Sequence, residues 1–363
     1  VRLVGSEMCI RDRSNSNNFG FSATYDNLGC LYSAGISFGI GYPTTLGAYQ
    51  VSFDGGAVDV SITKYDSSGT YRIYSTFLGG NQSEFPHSLV VNSNKELFIL
   101  GTTGSDNFPT TSQSFSSFFS GGDPFFPSGL SATFPNGSDI FVSKLSSDGG
   151  QLLSSTYIGG SKNDGLNLSS SLKYNYADEF RGEIDIDLQG NIYIATSTSS
   201  PDFPVTNNVF QGSLSSAQDG CIIKMDNNLQ TIIWSSFLGG DKDDGIYSLA
   251  LDSKDNLYVS GGTCSNNFFS NINAFKPFLT DTINPDAFIV SISSDGKKVL
   301  NGTYFGSIFY DQSYFIEISN NDKIYITGQT KSISDSLVFN SIYFNNSGGQ
   351  FIAVFDTSLS TLL

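Results

Sequence analysis

The sequence predicts an all-β fold, a β-propeller with five four-stranded blades visible, and three observations carry that prediction. One six-residue word recurs, as STFLGG at 75–80, STYIGG at 155–160, SSFLGG at 235–240 and a worn GTYFGS at 302–307. Short apolar and β-branched runs, each closed by Gly, Asn, Asp or Ser, follow one another at strand length. No long window carries the apolar stripe of an amphipathic helix.

Each element can be justified in order. Within one unit the pieces are STFLGG, SLVVNS, LFILGTTG and IFVSKLSSDG, four strands separated by turn residues. A strand-like word ends in an aromatic five times, at Tyr32 (NLGCLY), Phe98 (NSNKELF), Tyr193 (DLQGNIY), Tyr258 (DSKDNLY) and Tyr325 (NNDKIY). A second aromatic stands ten residues on in four copies (Tyr42, Phe108, Phe203, Phe268), and a third seven beyond that (Tyr49, Phe115, Phe210, Phe275). The fifth copy has Asp335 and Ile342 at those places. A last word opens on an acid and runs into β-branched residues: VDVSITK from Val58, SDIFVSK from Ser138, DGCIIK from Asp219, DAFIVS from Asp286 and the degraded QFIAVF from Gln350. The stretches DSKDN at 252–256 and SSDG at 293–296 have hairpin chemistry, because Asp and Asn bond their own backbone and Gly takes positive φ. A period of roughly 65–95 residues suits propeller blades and is far too long for a solenoid coil. In such a blade the paired glycines let the backbone pass close to a neighbour, and Leu78, Ile158 and Leu238 pack between blades.

The repeats argue for one array over 14–363, with units near 14–74, 75–154, 155–234, 235–301 and 302–363. Residues 1–13, VRLVGSEMCIRDR, hold three of the five arginines and look like a translated sequencing adapter, extraneous to the fold. The remainder starts one strand into a blade and stops where another STYLGG word is due, so the expectation is a fragment of a larger ring with an unpaired edge at both ends.

The string STFLGG…LFILGTTGSDNFPTTSQSF, echoed by NIYIATSTSSPDFPVTNNVF, resembles the bacterial SBBP family of β-propeller repeats, named for seven blades. The likeness covers nearly everything from Phe19 onward. Asn18 to Gly41 and the DEFRGEI insert also resemble propeller-bearing surface proteins that carry gliding-motility or type IX secretion tails. The resemblance implies a secreted or surface-attached bacterial protein, extracellular or on the outer cell surface.

Composition bounds the function. Aromatics make up 14% of the chain, with 31 Phe and 18 Tyr, so core material is plentiful. The formal charge of −16 repels phosphate backbones, which argues against nucleic acid as a partner. No 18-residue apolar run exists to span a membrane as a helix. Beyond Cys9, the cysteines Cys30, Cys221 and Cys264 stand at non-equivalent positions, an odd number without a C-x-x-C, and read as small buried residues.

The candidates for chemistry are few. His87 is the only histidine and sits in SEFPHSL, where other units carry ordinary strand residues; it is not expected to be catalytic. Zinc lacks a ligand set. Carboxylates are abundant but have no distinctive spacing, so a polysaccharide-acting enzyme, glycosidase or lyase, stays open. The loop GGDKDDG, with Asp241, Asp243 and Asp244, is first of all a solvated turn, with structural calcium as the alternative reading and no other cofactor expected. Two insertions, 120–137 and 167–183, carry Phe125, Phe126, Phe134 and Tyr176; they either bind a partner at one end of the blades or fold back as caps. No catalytic, cofactor or metal residue is therefore assigned. The expectation is a non-enzymatic scaffold for adhesion or recognition of a protein or glycan at the cell surface, against a glycan-binding module or an enzyme. An enzyme would need its acids to converge in one pocket, a scaffold would leave them dispersed, and a lectin-like module would expose aromatics.

Overall fold

The computed structural model describes residues 18–127, 132–281, 283–333, 337, 339 and 348–363. It divides into two compact units, the first comprising the described residues up to Asp164 with Asn228–Thr231, the second Gly165–Asn227 with Ile232–Leu363. Residues 1–13, and Asp335 and Ile342, lie outside the described residues.

Strands form where the apolar and β-branched words stand, and they assemble in chain order as antiparallel meanders. The first unit holds β1 (Asn18–Tyr25), β2 (Leu31–Ser37), β3 (Asp59–Tyr65) and β4 (Arg72–Leu78) in one sheet. Its second sheet holds β5 (Glu84–Val91), β6 (Leu97–Thr103), β7 (Asp139–Leu145) and β8 (Leu152–Ile158). In the second unit come β9 (Glu183–Ile186), β10 (Ile192–Thr198), β11 (Asp219–Met225) and β12 (Ile232–Leu238), then β13 (Asp244–Leu251), β14 (Leu257–Thr263), β15 (Asp286–Ile292) and β16 (Val299–Phe305). The last sheet has three strands, β17 (Asp311–Ile318), β18 (Ile324–Thr330) and β19 (Gly349–Phe355). The expected fourth strand is represented among the described residues by a single bridge, Phe355 to Leu362, the same step that starts each other fourth strand, as at Tyr65 and Arg72. A 3-10 turn stands at Ser170–Leu172, and no α-helix occurs among the described residues.

Register corrects the phase of the repeat. The STFLGG strand pairs with the acid-started word before it, Leu78 opposite Val60 and Phe77 opposite Ser61, so it closes a sheet instead of opening the next. The sheets are therefore one strand out of step with units that start at residue 75.

Successive sheets within a unit bury their faces against each other. In the first unit Tyr32, Val60, Tyr74 and Leu78 join Leu89, Leu97, Phe141 and Tyr157 in one core. Two cores in the second unit couple its three sheets, one through Trp234, Leu238, Ile246 and Phe288, the other through Tyr258, Phe305, Ile316 and Phe355. Each fully buried aromatic contributes about 1.5–3 kcal/mol. Phe108, Phe203 and Phe268 are buried as their spacing predicted, and Phe108 lies 4.5 Å from Phe141, centroid to centroid. Of the third set, Tyr49, Phe210 and Phe275 are half-buried, while Phe115 reaches solvent. Tyr325 is the exception among the strand aromatics, being exposed.

The lysine that ends the third-strand word acquires a purpose. Lys64, Lys144 and Lys224 lie over the rings of Tyr32, Phe98 and Tyr193, and each also pairs with an acid of the hairpin beside it, Asp26, Glu96 and Asp187. Each chain thus lays an aliphatic stem on an aromatic face and keeps a partner for its charge. The hairpin acids also cap their turns: Asp252 Oδ1 accepts the N–H groups of Lys254 and Asn256, and the turn closes with Asp255 at φ 59°.

Candidate functional site

The insertion at 167–183 belongs to the second unit and folds around a buried carboxylate. Asp178 Oδ2 accepts the backbone N–H groups of Tyr174 at 2.9 Å and Asn175 at 2.6 Å, and Oδ1 accepts from Arg181 Nη2 at 2.8 Å. Asn167 ties the other end down, donating from Nδ2 to the carbonyls of Leu172 and Asp178, while Gln218 donates to its oxygen. Phe180 is buried beneath the loop.

This arrangement gathers tyrosines. The rings of Tyr247 and Tyr314 stack at 5.8 Å, and the Arg181 guanidinium lies 4.4 Å over Tyr314. Tyr174 packs on Tyr310 at 5.2 Å, with Lys331 Nζ 3.8 Å from the Tyr174 centroid. Asn175 Nδ2 donates to the Tyr314 hydroxyl and to Gln329 Oε1. Burial holds the phenols of Tyr247, Tyr310 and Tyr314 above the usual tyrosine range, the last pushed up to about 12, so they remain neutral hydrogen-bonding groups at physiological pH. Tyr174 and Tyr176 are 49% and 56% exposed. The result is a half-exposed aromatic face edged by amide, guanidinium and ammonium groups, which suits stacking and hydrogen bonding to a polar ligand.

Sequence reading singled out Tyr176 here and missed Tyr247 and Tyr314. A signal existed. β1, β5, β13 and β17 each carry a register shift, and the residue skipped is Phe21, His87, Tyr247 or Tyr314. His87, Tyr247 and Tyr314 each follow the second residue of the glycine pair by the same seven positions, and Asn167, where the insertion starts, stands at that spacing too. A bulge re-aims its extra side chain, so this offset selects the residue turned out of the ladder.

The other sequence candidates separate. His87 is buried, with Nε2 2.9 Å from the Thr102 hydroxyl on the neighbouring strand. In the insertion at 120–137, Phe134 folds back onto Phe85 and bridges Phe125, whereas Phe126 is exposed. Cys30, Cys221 and Cys264 form no disulfide, and burial pushes the Cys264 thiol up to about 12. The GGDKDDG acids diverge: Asp241 is exposed and caps Asn266, Asp243 is half-buried, and Asp244 turns fully inward. Among the described residues no cluster of three or more His, Cys, Asp or Glu side chains could hold a metal ion.

Asp244 belongs to a second repeated feature. The acid that opens each third strand (Asp59, Asp139, Asp219, Asp286) meets the acid that opens or just precedes the next sheet (Glu84, Asp164, Asp244, Asp311), and all eight are fully buried. The first glycine of the repeated word sits between them. A Cβ on Gly79 would lie 2.6 Å from the Asp59 carboxyl carbon and 2.8 Å from Glu84 Oε2; on Gly159 it would strike Asp139 Oδ1 and crowd Asp164. The next residue donates its N–H to the second acid, Gly80 to Glu84, Gly160 to Asp164, Gly240 to Asp244 and Ser307 to Asp311. The recurrence of L-G-G is thus a consequence of carboxylates packed against a backbone that has no room for a side chain. Burial raises Asp59 and Asp139 to about 7, and Glu84 and Asp244 to about 8, well above the ordinary carboxylate range.

No family model and no curated protein matches the chain. Among solved structures it is similar to a protein of unknown function from Dyadobacter fermentans, at 11% identity and a TM-score of 0.46 over 97% of this chain and 85% of that one. It is also similar to a GH43_1 enzyme from Xanthomonas citri complexed with xylose, at 8% identity and a TM-score of 0.37 over 98% and 94%. A gluconolactonase from Xanthomonas campestris aligns at 12% identity and a TM-score of 0.35 over 95% and 92%.

Proposed function

We propose that this chain is a non-enzymatic β-propeller scaffold, its sheets serving as blades, displayed outside a bacterial cell and used for adhesion or recognition of a glycan or protein partner. One observation carries the reading. The repeated paired carboxylates, the kind of group a glycosidase or lyase would need, are fully buried and distributed over four separate pairs, whereas Tyr174 and Tyr176 are exposed. A substrate cannot reach a carboxylate that has no accessible surface. Placement on the cell surface, and kinship with SBBP-type proteins of gliding or type IX secretion, rest on the recurring L-G-G, turn and F-P-x-T words.

Binding to a panel of soluble polysaccharides, read by titration calorimetry on the full chain, tests the proposal. We expect saturable binding to at least one neutral or acidic glycan, weakened by about tenfold or more in Tyr174→Ala, in keeping with aromatic anchors at other interfaces. Release of new reducing or unsaturated ends from any of those polysaccharides would replace the scaffold with an enzyme.

A further inference from the structure

Four buried acid pairs on one plan raise the question of what neutralises them. Two ionised carboxylates facing each other in a dry junction repel, and burial already disfavours each. At the first junction Glu84 is fully served: Oε1 accepts the hydroxyls of Thr103 and Ser105, and Oε2 the N–H of Gly80. Asp59 Oδ2 accepts the N–H of Asp54, but its Oδ1 is fully buried, has no hydrogen-bond partner, and lies against the same glycine position as Glu84 Oε2. At the third junction Asp219 is fully served by Gln211, Ser215 and Ser216, while Asp244 Oδ1 is the buried oxygen without a partner. The groups that hydrogen-bond these acids are backbone and amide N–H groups and hydroxyls, which stabilise an anion without supplying a compensating charge.

The fourth junction differs. Lys276 Nζ donates to Asp286 Oδ2 at 2.7 Å and to the Gly306 carbonyl at 2.6 Å, placing an ammonium beside the pair, while Asp286 Oδ1 and Asp311 Oδ1 are also buried without a hydrogen-bond partner. Lys276 occupies the position that is Gln50, Ser116 and Gln211 in the other junctions, directly after the third aromatic.

We propose that three of these junctions each carry one compensating positive charge: a proton shared by the two carboxyl groups at Asp59–Glu84 and at Asp219–Asp244, and the Lys276 ammonium at Asp286–Asp311. In the first, the proton bridges from Asp59 Oδ1 to the facing Glu84 carboxylate, satisfying both. The other titratable groups facing these acids cannot supply the charge. Asp54 is an acid; Tyr157 beside Glu84 and Asp139, and Tyr304 beside Asp244 and Asp286, are phenols held neutral by burial; Cys264 beside Asp244 is a neutral thiol. Because the folded state holds protons that the unfolded chain releases near pH 4, the contribution of these pairs to stability is greatest at low pH and declines as pH rises from about 4 to about 8.

Thermal unfolding of the full chain from pH 5 to pH 9, in chelator, is the test. The melting temperature is expected to fall by several degrees across that range; Asp59→Asn, which carries its hydrogens at every pH, should shrink the fall, and Lys276→Met should enlarge it. Equal pH slopes in all three proteins would overturn the proposal. Should a variant fail to fold, infrared spectroscopy of the wild type decides: a protonated-carboxyl carbonyl band at pH 7 that fades by pH 9 supports the shared proton, and its absence refutes it. A melting temperature raised by calcium chloride in the wild type but not in Asp59→Asn would also overturn it, in favour of a bound divalent cation.

Discussion

The Asp59–Glu84 and Asp286–Asp311 junctions share a backbone plan and diverge in one side chain. In both, the residue after the third aromatic donates its own N–H to a threonine hydroxyl of the fourth strand, Gln50 to Thr76 and Lys276 to Thr303. Beyond that, the Gln50 side-chain oxygen accepts from the Gly79 N–H, whereas Lys276 reaches past to the carboxylate. The lesson is that a repeat can conserve a buried acid pair while changing how its charge is balanced, because the geometry requires a compensating charge and leaves its source open.

Three substitutions break or sharpen this contrast, and two serve as controls. The largest effect belongs to Gly79→Val, which drives a branched side chain into both carboxylates; a loss of about 3 kcal/mol or more in chemical denaturation is expected, with Gly212→Ala, where a Cβ meets nothing within 4 Å, nearly neutral beside it. Lys276→Met comes next. It leaves Asp286 buried without its ammonium, and a loss of about 3 kcal/mol at pH 8 is expected, shrinking at pH 5 where Asp286 and Asp311 can take up protons. Ser105→Ala removes one hydroxyl from Glu84 and should cost about 1–2 kcal/mol by the same measurement, more at high pH than at low, since the hydroxyl favours the ionised form. The smallest is Tyr176→Ala, on the exposed insertion: a change within about 0.5 kcal/mol in stability is expected, so any loss of glycan binding would report recognition and not folding.

Much of the architecture was legible because strands and turns are local. Short apolar and β-branched runs and Asp, Asn and Gly at hairpins act over a few residues, so the five sheets, the absence of long helices among the described residues and the interior places of Phe108, Phe203 and Phe268 could be read directly. The phase of the sheets could not. STFLGG pairs equally well, on pattern alone, with the word before it or after it, and only the register of Leu78 on Val60 decides.

The candidate site was less legible than the fold, for a related reason. Tyr176 stood out because its loop is an insertion, but Tyr247 and Tyr314 lie in different sheets and look like ordinary strand aromatics until bulges turn them and stack their rings. The acid opening each third strand was visible as a repeated letter, yet as a letter it reads as a solvated turn residue.

The sequence by itself determined that this chain is all β, that its units repeat, and that each unit places a glycine pair and an acid at fixed distances, because those properties depend on neighbours along the backbone. Only the tertiary structure decided that the acid of one sheet meets the acid of the next across that glycine, away from water. Folding brings Asp59 and Glu84 together from the two sides of a sheet junction, and burial turns two ordinary carboxylates into groups that hold protons near neutral pH.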